Sequence, residues 1–283
     1  VATAVSCYEQ AMALDPQDPE PVFNLALVFE EASESEAALA AYETLTSIAP
    51  EMLEAWVNLG NLHHREKRFT AAAVAYQRVL DVNPEDASTW SRLGVVADAM
   101  GARDEARAHY RMALELDPEC VEAHFNMGIS LREQGDLTGA IGSYRRALAV
   151  NPTQADVLFN LGRAQQADGD VAAAEVSYRA SISVDPNKVA AQNNLGTVLL
   201  DQGQLSDAVD VYRQAAGEDP AGSVHANSAW NLSLALLLSG NYEEGWRWYE
   251  WRFYKGGATP PTFDKPRWHL DAPSDARVLV WAE

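Results

Sequence analysis

The chain has 283 residues, 47% of them hydrophobic, enough apolar material for an extended ordered structure; one compact core of this length is near the usual upper limit, so two domains or a repeat array is expected. Its formal charge is −20, from 41 acidic against 21 basic residues, and such a surface repels nucleic acid and anionic membrane. Cys7 and Cys120 can form neither a disulfide framework nor a thiolate metal site; they fit a reducing, cytoplasmic setting, and no apolar run approaches the roughly 20 residues that membrane insertion needs.

Read from the N-terminus, the pattern opens inside a helical half unit, residues 1–18, with no signal peptide visible. Six units follow, at 19–52, 53–86, 87–120, 121–154, 155–188 and 189–222, and then a divergent unit at 226–254. Proline marks the period: Pro16, Pro50, Pro84, Pro118, Pro152, Pro186 and Pro220 are each 34 residues apart. A fixed period of this length signals stacked helix–turn–helix units. Proline cannot donate to a helix and disfavours helix before it, so each one ends a second helix.

Within a unit, with its proline as position 32, positions 8 and 20 stay small: Gly60 with Ala72, Gly94 with Ala106, Gly128 with Ala140, Gly162 with Ala174, Gly196 with Ala208. Two helices approach closely only over small side chains. Position 24 is always tyrosine, from Tyr42 to Tyr212, and is expected to be a knob for the neighbouring unit. Gly101, Gly135, Gly169 and Gly203 share position 15, where a left-handed residue closes a first helix.

These residues, in the pattern W-x2-L-G…A-x3-Y…P of Trp90, Leu93, Gly94, Ala106, Tyr110 and Pro118, resemble the tetratricopeptide repeat family. The resemblance covers residues 1 to about 254. It implies an all-α fold, a right-handed superhelix of antiparallel helix pairs with the first helices on its concave face. It also implies a scaffold that binds protein partners and has no active site.

In that family position 6 of the first helix points into the groove. Here it reads Asn24, Asn58, Arg92, Asn126, Asn160, Asn194 and Asn231. A carboxamide carries both donor and acceptor, so a row of them suits the backbone of an extended polypeptide whatever its side chains. The row resembles the asparagine ladder in the repeat domain of the O-GlcNAc transferase family. The alternative is a family habit, with each Asn only solvating or capping its helix. Arg92 interrupts the row, either as a carboxylate or carbonyl binder or simply solvated. At position 5, Phe23, Phe125 and Phe159 suggest apolar pockets, or partial packing between helices. The chaperone-tail clamp of other family members needs Lys at that position, which this chain lacks. No Lys or Arg precedes Arg65, while that stretch holds eleven acidic residues, which reads as a solvated outer face or as a dock for a basic segment.

The last unit is offset by three residues, with Asn231-Leu232-Ser233 in place of Asn194-Leu195-Gly196, and six of eight tryptophans lie from Trp230 onward. An array end this aromatic needs a covering partner, and self-association there is one expectation. Residues 255–276 read as a Gly/Pro-rich linker, and 277–282 as the first strand of a second domain. Asn231-Leu232, Gly240 to Gly245-Trp246, Tyr249 to Arg252, Pro266-Arg267-Trp268 and Val278 to Glu283 resemble a bacterial family in which such repeats run into a heptosyltransferase-like glycosyltransferase. No catalytic or nucleotide-sugar residue of that family is carried over.

No cofactor or metal motif appears. His63 and His64 are adjacent on one helix and point different ways, so His63 reads as packing. The sequence thus leaves a peptide-binding scaffold, presenting substrates to an attached glycosyltransferase, and as its alternative a structural assembly or oligomerisation module.

Overall fold

A computed structural model describes residues 2–217 and 223–257, and the side chains of 3–217 and 225–253. Among the described residues there are fifteen α-helices, one 3-10 helix and no strand. Residues 258–283, with the expected linker and strand, lie outside them, as does Pro220.

The chain divides into two compact units, Val1–Pro186 and Asn187–Glu283. In the first, α1 (Ala2–Leu14) precedes five helix pairs: α2 (Pro19–Glu31) with α3 (Ser35–Ile48), α4 (Leu53–Arg65) with α5 (Phe69–Val82), α6 (Ala87–Ala99) with α7 (Arg103–Leu116), α8 (Val121–Glu133) with α9 (Leu137–Val150), and α10 (Ala155–Ala167) with α11 (Val171–Val184). In the second, α12 (Val189–Asp201) pairs with α13 (Leu205–Ala216), and α14 (Ser223–Leu238) with α15 (Tyr242–Tyr249). A 3-10 helix over Glu250–Gly257 packs on α14.

Three local features set the helix ends. Position 15 takes positive φ throughout: Gly101 +80°, Gly135 +83°, Gly169 +88° and Gly203 +76°. Ser33 and Lys67 adopt the same left-handed backbone, at 59° and 58°, despite their side chains. Acidic side chains cap first turns, as where Asp86 accepts from the Ser88 and Thr89 N–H groups. Finally, Trp56 and Trp90 donate their indole N–H to the carbonyls of Pro50 and Pro84, each at 2.9 Å. In these two repeats the signature tryptophan thus ties the first helix to the turn before it. His124 holds the equivalent place, its Nε2 2.9 Å from the Pro118 carbonyl.

Close packing within a pair runs through the small positions. Ala38, Ala72, Ala106, Ala140, Ala174 and Ala208 are wholly buried. A Cβ at Gly60 would lie 2.5 Å from the Tyr76 ring, and one at Gly128 2.5 Å from Tyr144. The tyrosine therefore sits on the glycine of its own repeat. The same ring also joins the next repeat's first helix, as Tyr76 does with Leu93 and Val96, and Tyr144 with Val157 and Leu161. The expected knob for the neighbour is half of its role. In α14, Ser233 stands where the glycine was and is fully buried, while Gly245 takes the alanine's place, with Leu237 2.8 Å from where its Cβ would be.

Candidate functional site: the face of the first helices

In the first unit each second helix packs on the next first helix, and first helices also meet each other, α6 on α8 and α8 on α10. The tyrosines, set on the small residue at position 8, carry their hydroxyls to the edge of these first helices. Tyr42 donates to Glu30 at 2.5 Å, Tyr76 to Asn61 at 2.8 Å, Tyr110 to Asp98 at 3.0 Å and Tyr178 to Gln166 at 2.9 Å. Burial pushes the Tyr76 phenol up to about 12. Burial raises Tyr42 and Tyr110 as well, and the carboxylates of Glu30 and Asp98 add to it.

Position 6 is half-buried in every repeat, yet its members do different things. Asn58 lies against the Tyr42 phenol of the preceding repeat and favours its ionised form. Arg92 donates to Ser88 Oγ on its own helix at 2.5 Å, close enough to the Tyr76 phenol to act on it electrostatically. Asn160 Nδ2 donates back to the Asp156 carbonyl at 2.9 Å, the habit of a side chain serving its own helix. Asn24 and Asn126 spend neither donor nor acceptor on another described residue. Asn194 and Asn231 belong to the second unit, on α12 and α14, which pack together. The seven positions are therefore not equivalent rungs, because neighbouring side chains satisfy some of the amides and leave others unspent.

The phenylalanines also divide their surface. Phe125 tilts against Tyr144 with ring centroids 6.1 Å apart, and Phe159 against Tyr178 at 6.0 Å. Phe23 packs against the core around Val22 and Leu39. All three are half-buried, so the expected packing between helices is present and part of each residue stays open to solvent. The acidic opening stretch is partly answered within the chain: Arg65 pairs with Glu30 and Arg68 with Glu36.

Two shallow concavities lie elsewhere, one between α7, α8 and α9 around Leu114, His124, Arg146 and Val150, the other between α3, α4 and α5 around Trp56, His63 and Val74. His63 is buried, its Nδ1 has no hydrogen-bond partner, and burial lowers its pKa. That is the packing role expected of it. No described helix is long and apolar enough to cross a membrane.

One group of residues escaped the sequence reading. Tyr144 is fully buried, and its hydroxyl, faced by Arg132, has no acceptor among the described residues. Position 12, which supplies Glu30, Asp98 and Gln166 as acceptors in other repeats, is Arg132 here. The signal was legible: position 12 reads Glu30, His64, Asp98, Arg132, Gln166 and Leu200. It acquires meaning only once the tyrosine is known to reach it.

Models of the tetratricopeptide repeat match residues 1–51 and 159–223, 51–119, and 128–169, together more than half of the chain. The chain belongs to the tetratricopeptide repeat family. No curated protein matches it. Among solved structures, the repeat array is similar to MamA at 25% identity, with a TM-score of 0.51 over 56% of this chain and 92% of that one. It is also similar to PilF of Pseudomonas aeruginosa at 20% identity, TM-score 0.63, over 72% and 91% of the two chains. A chain of the Cut9–Hcn1 assembly aligns at 15% identity, TM-score 0.66, over 83% of this chain and 46% of that one. The last two likenesses carry the fold alone. The tetratricopeptide matches end at residue 223. They lend no support to the O-GlcNAc transferase likeness or to the glycosyltransferase-like character of the tail, much of which lies beyond the described residues.

Proposed function

We propose that this tetratricopeptide array is a protein-interaction scaffold that holds an extended polypeptide along the first-helix face of the unit Val1–Pro186. The observation that carries the reading is the pair Asn24 and Asn126. Each is half-buried with its amide unspent, and each is preceded by a partly exposed phenylalanine, Phe23 or Phe125. An unspent carboxamide pairs with a peptide N–H and C=O, while the adjacent ring gains free energy by covering an apolar side chain. Asn58, Arg92, Asn160 and Phe159 line the same row but are already engaged, so they contribute shape more than new hydrogen bonds. Presentation of that polypeptide to an attached glycosyltransferase extends the proposal, and rests only on the resemblance of the tail.

The test is selection of end-capped random peptides on the full chain, followed by affinity measurement on a selected peptide. The Asn24→Ala/Asn126→Ala double variant should bind about tenfold more weakly, since each neutral hydrogen bond contributes about 0.5–1.5 kcal/mol net. Its circular dichroism should be unchanged. Unaltered affinity would leave the asparagines as a family habit.

A second reading has its own observation. In the second unit Leu238, Tyr242 and Trp246 are 71%, 63% and 57% exposed, and large apolar side chains left in water there suit self-association. Sedimentation of the Tyr242→Ser/Trp246→Ser variant against the parent separates the two: a dimer lost in the variant supports an assembly module, and a monomer in both removes it.

A further inference from the structure

The acceptor missing from the fourth repeat gives the ligand a chemistry. In the first unit four other repeats end their tyrosine hydroxyl on an acceptor: Glu30, Asn61, Asp98 or Gln166. At Tyr144 the Arg132 side chain on α8 faces the phenol and, with Arg163 on α10, favours its ionised form, while Glu133 on α8 opposes it. Both arginines are donors only, and the Tyr144 hydroxyl and Arg132 Nε are buried with no geometric hydrogen bond to another described residue. Neither guanidinium forms an ion pair with a described carboxylate, although the chain carries 41 acidic residues. Arg163 is exposed, its guanidinium carbon 5.7 Å from the centroid of the Phe159 ring. Arg65 and Arg68, by contrast, are paired with Glu30 and Glu36.

Two guanidiniums that form no ion pair with a described carboxylate, on packed helices and with the Phe159 ring beside Arg163, offer a place for one anionic group with an apolar neighbour. Arginine suits carboxylate through its planar fork of donors. Asn126 and Asn160 lie on the same two helices, so a chain held along them passes through this place rather than ending in it. A side chain, not a chain terminus, is then the source of the charge.

We propose that Arg132 and Arg163 receive an aspartate or glutamate side chain of the bound polypeptide, with an adjacent apolar residue against Phe125 and Phe159. This rests on the first-helix face being the polypeptide site, and it adds a sequence preference to what the amides alone would hold without one. Position 9 and position 12 arginines in successive repeats are the device.

The test uses the full chain and a positional library of dodecapeptides acetylated and amidated at their ends, so that no terminal charge competes. Acidic residues should be preferred at one register over their amide counterparts by about tenfold, the effect of a charge-assisted hydrogen bond. The Arg163→Glu variant should reverse that preference toward Lys and Arg. Its melting temperature should match the parent, because Arg163 is exposed and forms no ion pair with a described residue. Selected peptides without an acidic preference, or a preference that survives Arg163→Glu, overturn the inference while leaving the polypeptide site standing. A full chain that selects no peptide at all overturns the site and this inference together.

Discussion

At the scale of single residues, the repeat is a contact between a glycine and a tyrosine ring. Gly60 leaves room for Tyr76, whose Cε1 would lie 2.5 Å from an added Cβ. Ala26 stands at the same position opposite Tyr42 and is fully buried, so a repeat can be built to take the methyl group. Gly60→Ala should therefore destabilise through refitting, by about 1–3 kcal/mol, the usual cost of overpacking. Urea unfolding measures it, and an unchanged midpoint would mean the ring moves freely. The small residues were readable from sequence because spacing alone selects them. The destination of the ring was not, since a 34-residue period does not say whether position 24 touches its own repeat or the next. It touches both.

At the scale of helices, ends are set by position 15 and by the tryptophan–proline tie. Glycine was read correctly as a left-handed turn, but Ser33 and Lys67 share that backbone, which their residue types do not announce. Left-handed backbone costs an ordinary residue about 1 kcal/mol, so Lys67→Gly should stabilise the chain by up to about 1 kcal/mol, less what the unfolded glycine gains in freedom. Calorimetry should show a raised melting temperature; a lower one would mean that the Lys67 side chain makes a compensating contact. The bond from Trp56 or Trp90 to a proline carbonyl was hidden as well. The signature names a tryptophan and a proline without showing that the six-residue step from Pro50 to Trp56 brings indole and carbonyl together.

At the scale of the molecule, buried phenols make the array sensitive to alkali. The folded pKa of Tyr76, about 12, lies above the unfolded value of about 10. An acid whose folded pKa is raised costs nothing while both states are neutral, so stability is full below pH 10. It falls as pH rises from 10 toward 12, where the unfolded phenol ionises first. Urea unfolding at pH 9 and pH 11 should show lower stability at pH 11. In Tyr76→Phe that drop should be smaller by about 1 kcal/mol. Equal drops would show that this phenol is not held neutral by the fold.

The helical repeat plan was legible from the prolines, glycines and tyrosines because they recur. The candidate site was legible only as a row of positions. Which amides are free depends on neighbours one helix turn or one repeat away: Asp156 for Asn160, Tyr42 for Asn58. The Arg132–Arg163 pair depends on an acceptor that is missing, and a pattern of spacing does not display a missing hydrogen bond.

The most direct measurement is a titration of the isotope-labelled chain with a selected end-capped peptide, following side-chain amide resonances by NMR. The NH2 pairs of Asn24 and Asn126 should shift in proportion to saturation. That of Gln77, which lies on second helix α5 and donates to Asp81 at 3.0 Å, should stay in place. Shifts at Gln77 with Asn24 and Asn126 silent would contradict the account.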